Sequence, residues 1–160
     1  REANCPALGV ISAEEVLKNT NVLEEVFGPF SLVIHCATTE ELHAIAKVLP
    51  GQLTATILGE AEELNDNKQV LATVQQKAGR LLFKGVPTGV AVSPSMNHGG
   101  PFPASTDSRF TSVGTLSIER WLRPICFQDC PRQLLPEALK DENPLQIFRS
   151  LNKQLTKSTV

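Results

Sequence analysis

Two periods of apolar spacing alternate along the first half of the chain. Apolar Ala7 to Ile11 reads as a strand, and Ser12-Ala13-Glu14-Glu15 then has the capping-box spacing that starts a helix. After a loop at Asn19 to Asn21, Ser31 to Cys36 is rich in β-branched and long aliphatic side chains and reads as a buried strand. Thr38-Thr39-Glu40-Glu41 repeats the capping box, and Leu42, Ile45, Ala46 and Leu49 recur at helical spacing until Pro50-Gly51 stops them. Leu53 to Leu58 suits a third strand. Val70, Leu71, Val74 and Ala78 form a helical stripe ending at Gly79, and Leu81-Leu82-Phe83 is a short buried strand. Strands alternating with helices predict βαβ units, and so an α/β chain with a mostly parallel sheet and flanking helices.

The periodicity vanishes from Gly85 to Gly114, where Pro87, Gly89, Pro94, Gly99, Gly100, Pro101 and Pro103 punctuate a long loop. Structureless stretches of this length inside compact domains are often functional. Beyond it, Leu116 to Leu122 is expected to form a helix burying Ile118 and Trp121, and Pro124 to Gln128 to extend as a strand. A last helix is expected with Asn143 as cap, Pro144 at its first position, and Leu145, Phe148, Leu151 and Leu155 as its apolar stripe. No internal repeat is visible.

Composition narrows the classes. A chain of 160 residues, 41% hydrophobic and 20% charged, fits one globular domain. Its net charge of -2, with no adjacent basic residues, gives no footprint for nucleic acid or an anionic membrane, and neither partner is expected. No apolar run is long enough to span a bilayer and no signal pattern is present, so the expected location is cytoplasmic. Cys5, Cys36, Cys126 and Cys130 are expected as free thiols. Cys126 and Cys130 lack a second ligand pair nearby, so no metal site is expected. Because the chain begins with Arg1 rather than Met, it reads as a piece of something longer.

Glu24-Glu25-Val26-Phe27-Gly28-Pro29 carries the first candidate chemistry. A carboxylate beside an aromatic on a Gly-Pro turn can accept hydrogen bonds from sugar hydroxyls and offer a ring face to a flat cofactor. The same residues also make an ordinary acidic loop before a strand. Of the three histidines, His35 falls in a strand, His43 on a helix and His98 in the long loop.

Together, Glu24 to Pro29, Gly79 to Gly89 (GRLLFKGVPTG) and His98 to Gly114 (HGGPFPASTDSRFTSVG) resemble the aldehyde dehydrogenase superfamily. The nearest branch is that of the NADP-dependent aldehyde dehydrogenases and α-ketoglutaric semialdehyde dehydrogenases. The likeness continues through Trp121-Leu122-Arg123-Pro124, Leu135-Pro136 and Glu142-Asn143-Pro144. It implies the C-terminal part of a catalytic domain over residues 1–123, then an oligomerisation-arm strand and a C-terminal helix over 124–160. It also implies a homo-oligomer acting on an aldehyde substrate with NADP, or NAD, as cofactor.

The implied reaction is oxidation of an aldehyde to a carboxylic acid through attack by a Cys thiolate, hydride transfer, and hydrolysis by a Glu-activated water. The resemblance puts both that nucleophile and that Glu before Arg1. Cys5 lacks the Gly-Gln-x-Cys-Thr setting, so the chain alone is expected to be inactive. Glu25 matches the glutamate that binds the nicotinamide ribose, and Phe27 the ring packed near it. His98 matches a position in the substrate channel, where it can polarise the aldehyde, assist the Cys or line the pocket. Gly99 and Gly100 are expected to shape the backbone beside it.

Two departures from the branch concern the substrate. Phe83-Lys84-Gly85 replaces a Phe-Asn-Gly, so Lys84 either reaches a substrate carboxylate or faces solvent at a strand end. Asn97, just before His98, is the other. Arg109 is a further cation that can pair with a substrate carboxylate or with Asp107. A reading from a different class also fits: a non-catalytic α/β binding or oligomerisation module.

Overall fold

In a computed structural model the described residues are 5–86 and 89–159. They form two compact units divided between Leu122 and Arg123. Pro87, expected as one of the loop's breaks, lies outside the described residues.

The first unit is built on two parallel strand pairs. β1 (Ala7–Ser12) pairs with β2 (Phe30–His35), Ala7 opposite Phe30 and Ser12 opposite His35. β3 (Gln52–Thr56) pairs with β4 (Ala78–Leu82), Gln52 opposite Ala78. Parallel neighbours need a crossover, and each pair has one: α1 (Ala13–Lys18) and a 3₁₀ turn (Thr20–Leu23) in the first, α3 (Ala61–Asp66) and α4 (Lys68–Gln75) in the second. The α/β class with parallel sheet is the one the pattern predicts.

Local chemistry fixes where the helices start. Ser12 Oγ accepts the Glu15 amide at 3.3 Å while the Ser12 amide donates to the Glu15 carboxylate at 3.2 Å, the reciprocal box expected from the spacing. That carboxyl is held below its usual pKa by the hydrogen bond from the Ser12 hydroxyl and then by the Ser12 amide. α2 (Thr39–Val48) starts from Thr38, whose hydroxyl accepts the Glu41 amide at 3.2 Å. Ala13, Val16 and Ile45 are buried where α1 meets α2, with Ile11, Ile34 and Cys36 packed around them. Burial pushes the Cys36 thiol pKa up.

His43 ties α2 to α4 through Nε2 and Thr73 Oγ1, 2.9 Å apart. Because the Thr73 hydroxyl already donates to the Gln69 carbonyl, His43 Nε2 is the donor, a structural role for this histidine.

Several expectations change. β2 is not buried through its length: Phe30, Ser31, Val33 and His35 are exposed while Leu32 and Ile34 are partly covered, because helices pack on one face only. The second stripe ends at Gln75 rather than Gly79, which is a strand residue in β4. Thr115–Trp121 winds as a 3₁₀ helix, not an α-helix, and does not bury Ile118 or Trp121, which are 56% and 81% exposed. At three residues per turn these two side chains stand above one another on the same open side.

In the second unit, among the described residues, Pro124 to Gln128 forms no strand; no neighbouring segment offers a ladder and Pro124 has no N–H to give one. The expected C-terminal helix is replaced by an antiparallel hairpin, β5 (Arg149–Leu151) with β6 (Gln154–Thr156). Asn152 and Lys153 take positive φ at its turn, the backbone that suits a two-residue hairpin. Asn143 does not cap a helix. It is buried at φ 47°, its amide donating to the Ile147 and Lys157 carbonyls and accepting the Ile147 amide. A residue in the left-handed region followed by Gln146 at φ 50° cannot begin a right-handed helix. Arg149 reinforces the hairpin by donating to the carbonyls of Lys140, Asp141 and Ser158.

Candidate functional site

The long loop of the first unit is anchored on the ends of β3 and β4 by close backbone approach. A Cβ at Gly79 would collide with the Gly99 carbonyl, and one at Gly51 with the carbonyl of Pro101. Gly100, at φ 155°, lies so near the Gln52 carbonyl that a side chain there would meet it. Gly99 and Gly100 are both buried, in keeping with a shaping role for this backbone. Asn97 adds a direct bond, its side-chain amide donating to the Gly79 carbonyl at 2.8 Å.

His98 is held through its backbone. Its amide donates to Thr111 Oγ1 at 2.9 Å, and its carbonyl accepts the Ser112 amide and hydroxyl, each at 2.9 Å. Thr111 is buried and passes its own proton to the Val113 carbonyl at 2.7 Å. The imidazole is left for other work: Nδ1 is buried without a partner among the described residues. His98 lines an open cavity of 290 Å³ with Leu53, Ala104, Ser105, Thr106, Ser112 and Arg120 among its walls.

Glu25 lines a second cavity, of 640 Å³, whose walls include Pro50 to Thr54, Pro103 and Ala104. Leu53 and Ala104 belong to both cavities, so the fold sets the Glu25 and His98 spaces side by side. Among the described residues the Glu25 carboxylate has no ion-pair partner. It is also on the rim of a wider cleft of 830 Å³ that runs from Phe27 past Leu32 and Ile34 of β2 to Thr54 and Thr56 of β3. Phe27 is 98% exposed, its ring free to cover a flat ligand. The turn between is steadied by the Phe30 amide donating to the Gly28 carbonyl and the Ala7 amide to that of Pro29, both at 2.8 Å. An unpaired carboxylate and an exposed ring thus stand over a partly aliphatic floor.

The other two cations go elsewhere. Lys84 is exposed in the bend after β4 and is not among the residues around either cavity. Arg109 pairs with Asp107, Nη2 to Oδ2 at 2.6 Å and Nε to Oδ1 at 3.0 Å. The Arg109 guanidinium, then its backbone amide, bring the Asp107 carboxyl down to a pKa of about 2. Arg120, which nothing in the sequence pattern marks, lies instead on the His98 cavity and donates to Thr106 Oγ1 at 3.1 Å. No local signal could have found it, since the loop's own folding brings it there. Among the described residues no three His, Cys, Asp or Glu side chains converge on one point that a metal ion would fill. No described helix is long and apolar enough to cross a membrane.

No protein-family model matches the chain. It is 51% identical over 140 residues to the alpha-ketoglutaric semialdehyde dehydrogenase of Acinetobacter baylyi, a match covering 88% of this chain and 27% of that protein. It is 44% identical over 151 residues to alpha-ketoglutaric semialdehyde dehydrogenase 2 of Azospirillum brasilense, covering 92% of this chain and 29% of that protein. The chain thus spans less than a third of the length of these curated relatives. By these matches, and in agreement with the motifs that resemble it, the chain belongs to the aldehyde dehydrogenase superfamily, as a partial stretch of such a protein.

Proposed function

We propose that the chain is part of an NAD(P)-dependent aldehyde dehydrogenase that oxidises α-ketoglutaric semialdehyde to the carboxylic acid, with NADP preferred. The observation that carries this reading is the shared wall of Leu53 and Ala104 between the Glu25 and His98 cavities. Adjacent cavities support a cofactor place beside a substrate place, and hydride transfer further requires the two ligands to meet directly.

In this reading Glu25 accepts the hydroxyls of the nicotinamide ribose and Phe27 covers that end. An ionised carboxylate accepts two such bonds, which fixes the ribose in place. When bound, the cofactor supplies the hydride acceptor. His98, fixed by Thr111 and Ser112, lines the aldehyde's place and orients it or assists the nucleophile. Gly99 and Gly100 let the backbone pass close under that place. Lys84, exposed after β4, and Arg109, paired with Asp107, stay outside the two cavities in this reading, and the dehydrogenase is expected to be a homo-oligomer.

None of the four cysteines is among the residues lining either cavity, which supports the reading that the nucleophile belongs to a stretch outside this chain. The test compares the 160-residue chain with a full-length dehydrogenase that contains it, following formation of reduced nicotinamide from α-ketoglutaric semialdehyde. Turnover is expected from the full-length protein and none from the chain. Turnover by the chain alone would overturn the division of labour, and an inactive full-length protein would overturn the dehydrogenase reading.

A further inference from the structure

We infer that Arg120 is a specificity-determining residue of the His98 cavity, taking the carboxylate of a short acidic aldehyde; this rests on the dehydrogenase reading of that site. Lys84, Arg109 and Arg120 are candidate cations for such a role. Arg109 spends its fork on Asp107, and Lys84 lies away from both cavities. Arg120 lines the cavity itself and forms no ion pair among the described residues. Among the described residues its side-chain bond is to Thr106 Oγ1 alone, which leaves most of the five guanidinium donors for a ligand.

The surrounding chemistry matches an anion with a carbonyl at its other end. The Ser105 hydroxyl donates to the Asp107 carbonyl and that of Ser112 to the His98 carbonyl, so Thr106 is the hydroxyl engaged directly by Arg120. A guanidinium grips a carboxylate with two parallel hydrogen bonds, which orients it as well as attracting it. The 290 Å³ volume stands at the small end of ligand pockets, roughly 300–1,000 Å³, and so favours a short chain. With the carboxylate on Arg120, such a chain keeps its carbonyl in the space that His98 lines.

Two measurements separate this inference from the reading it rests on. Glutarate, which has the carboxylate but no aldehyde, is titrated into the isotope-labelled 160-residue chain, and the amide signals of Ser105, Thr106 and Ser112 are followed. Saturable shifts are expected, with affinity about tenfold weaker in Arg120→Gln, since a charged hydrogen bond is lost at a partly open site. Arg120→Lys, which keeps the charge but not the fork, should fall between, and it decides by the same criterion if the Gln variant loses its dispersed spectrum. Equal affinity in wild type and variant, or no shift at all, overturns the inference.

In the full-length enzyme, Arg120→Gln should raise KM about tenfold for succinic semialdehyde and leave that for butanal unchanged. Equal effects on both substrates sink the role of Arg120 while sparing the dehydrogenase. A wild-type enzyme that oxidises neither sinks the dehydrogenase reading, and the glutarate titration then decides Arg120 by itself.

Discussion

The strand-and-helix segment up to Leu82 and the loop from Gly89 to Gly114 belong to the same unit but are held by different means. In the first, parallel ladders and helical turns repeat one backbone bond many times, and α1 and α2 bury Val16 and Ile45 between them. In the second, single contacts carry the shape: Asn97 on Gly79, Thr111 under His98, Asp107 on Arg109, and glycines where two backbones touch. A repeated bond tolerates the loss of one copy. A single contact has no copy, so the His98 part of the candidate site rests on the half of the unit that one substitution can undo.

The sharpest way to break this contrast is at the seam. Gly79→Ala sets a methyl group against the Gly99 carbonyl, and overpacking against backbone should cost about 3 kcal/mol in urea denaturation. Gly89→Ala, whose added methyl group meets no atom of the described residues within 4 Å, should stay within about 0.5 kcal/mol of wild type. Similar losses at both positions would deny the seam its role.

Next in size is Thr111→Val. It leaves the His98 amide and the Val113 carbonyl without their partner, at a cost of about 2 kcal/mol, and should speed amide exchange at His98 more than anywhere in β1 or β2. Uniformly faster exchange would mean that the loop and the strands open together. Ser12→Ala removes a cap from the regular half, and about 1 kcal/mol is expected. A larger loss than at Thr111 would reverse the comparison.

The smallest effect is one of pH. The Asp107 pKa is depressed, so the contribution of its pairing with Arg109 is complete above the ordinary value near 3.8 and is lost as pH falls toward about 2. Chemical shifts of the Arg109 amide should follow that window in the wild type and lose it in Asp107→Asn. A midpoint at the ordinary carboxylate value would show that the pair does not form.

This contrast also explains what could be read from the sequence. The reciprocal box at Ser12 and the one-way cap at Thr38 are local, each joining residues three apart, so spacing is enough to mark both helix starts. At Thr38 the Glu41 carboxylate turns to the Ala37 amide instead of closing the box. The hairpin has the sequence pattern of a helix because Leu145, Phe148, Leu151 and Leu155 satisfy helical spacing, whereas the positive φ of Asn143 goes with contacts as remote as Lys157. Gly79 read as a helix stop, since its partner Gly99 is far along the chain. Glu25, Phe27 and His98 are singled out by side-chain chemistry and family resemblance, not by periodicity. Arg120 escaped both routes, because only the folded loop brings it to the cavity that His98 lines.

The most direct test of the account is single-turnover hydride transfer by full-length dehydrogenase carrying Glu25→Gln, with α-ketoglutaric semialdehyde and NADP. The account predicts at least about a tenfold slower transfer with the fold intact, because the variant loses a charge-assisted contact that positions the reacting ring. A variant that transfers hydride at the wild-type rate, with unchanged NADP affinity, would contradict it.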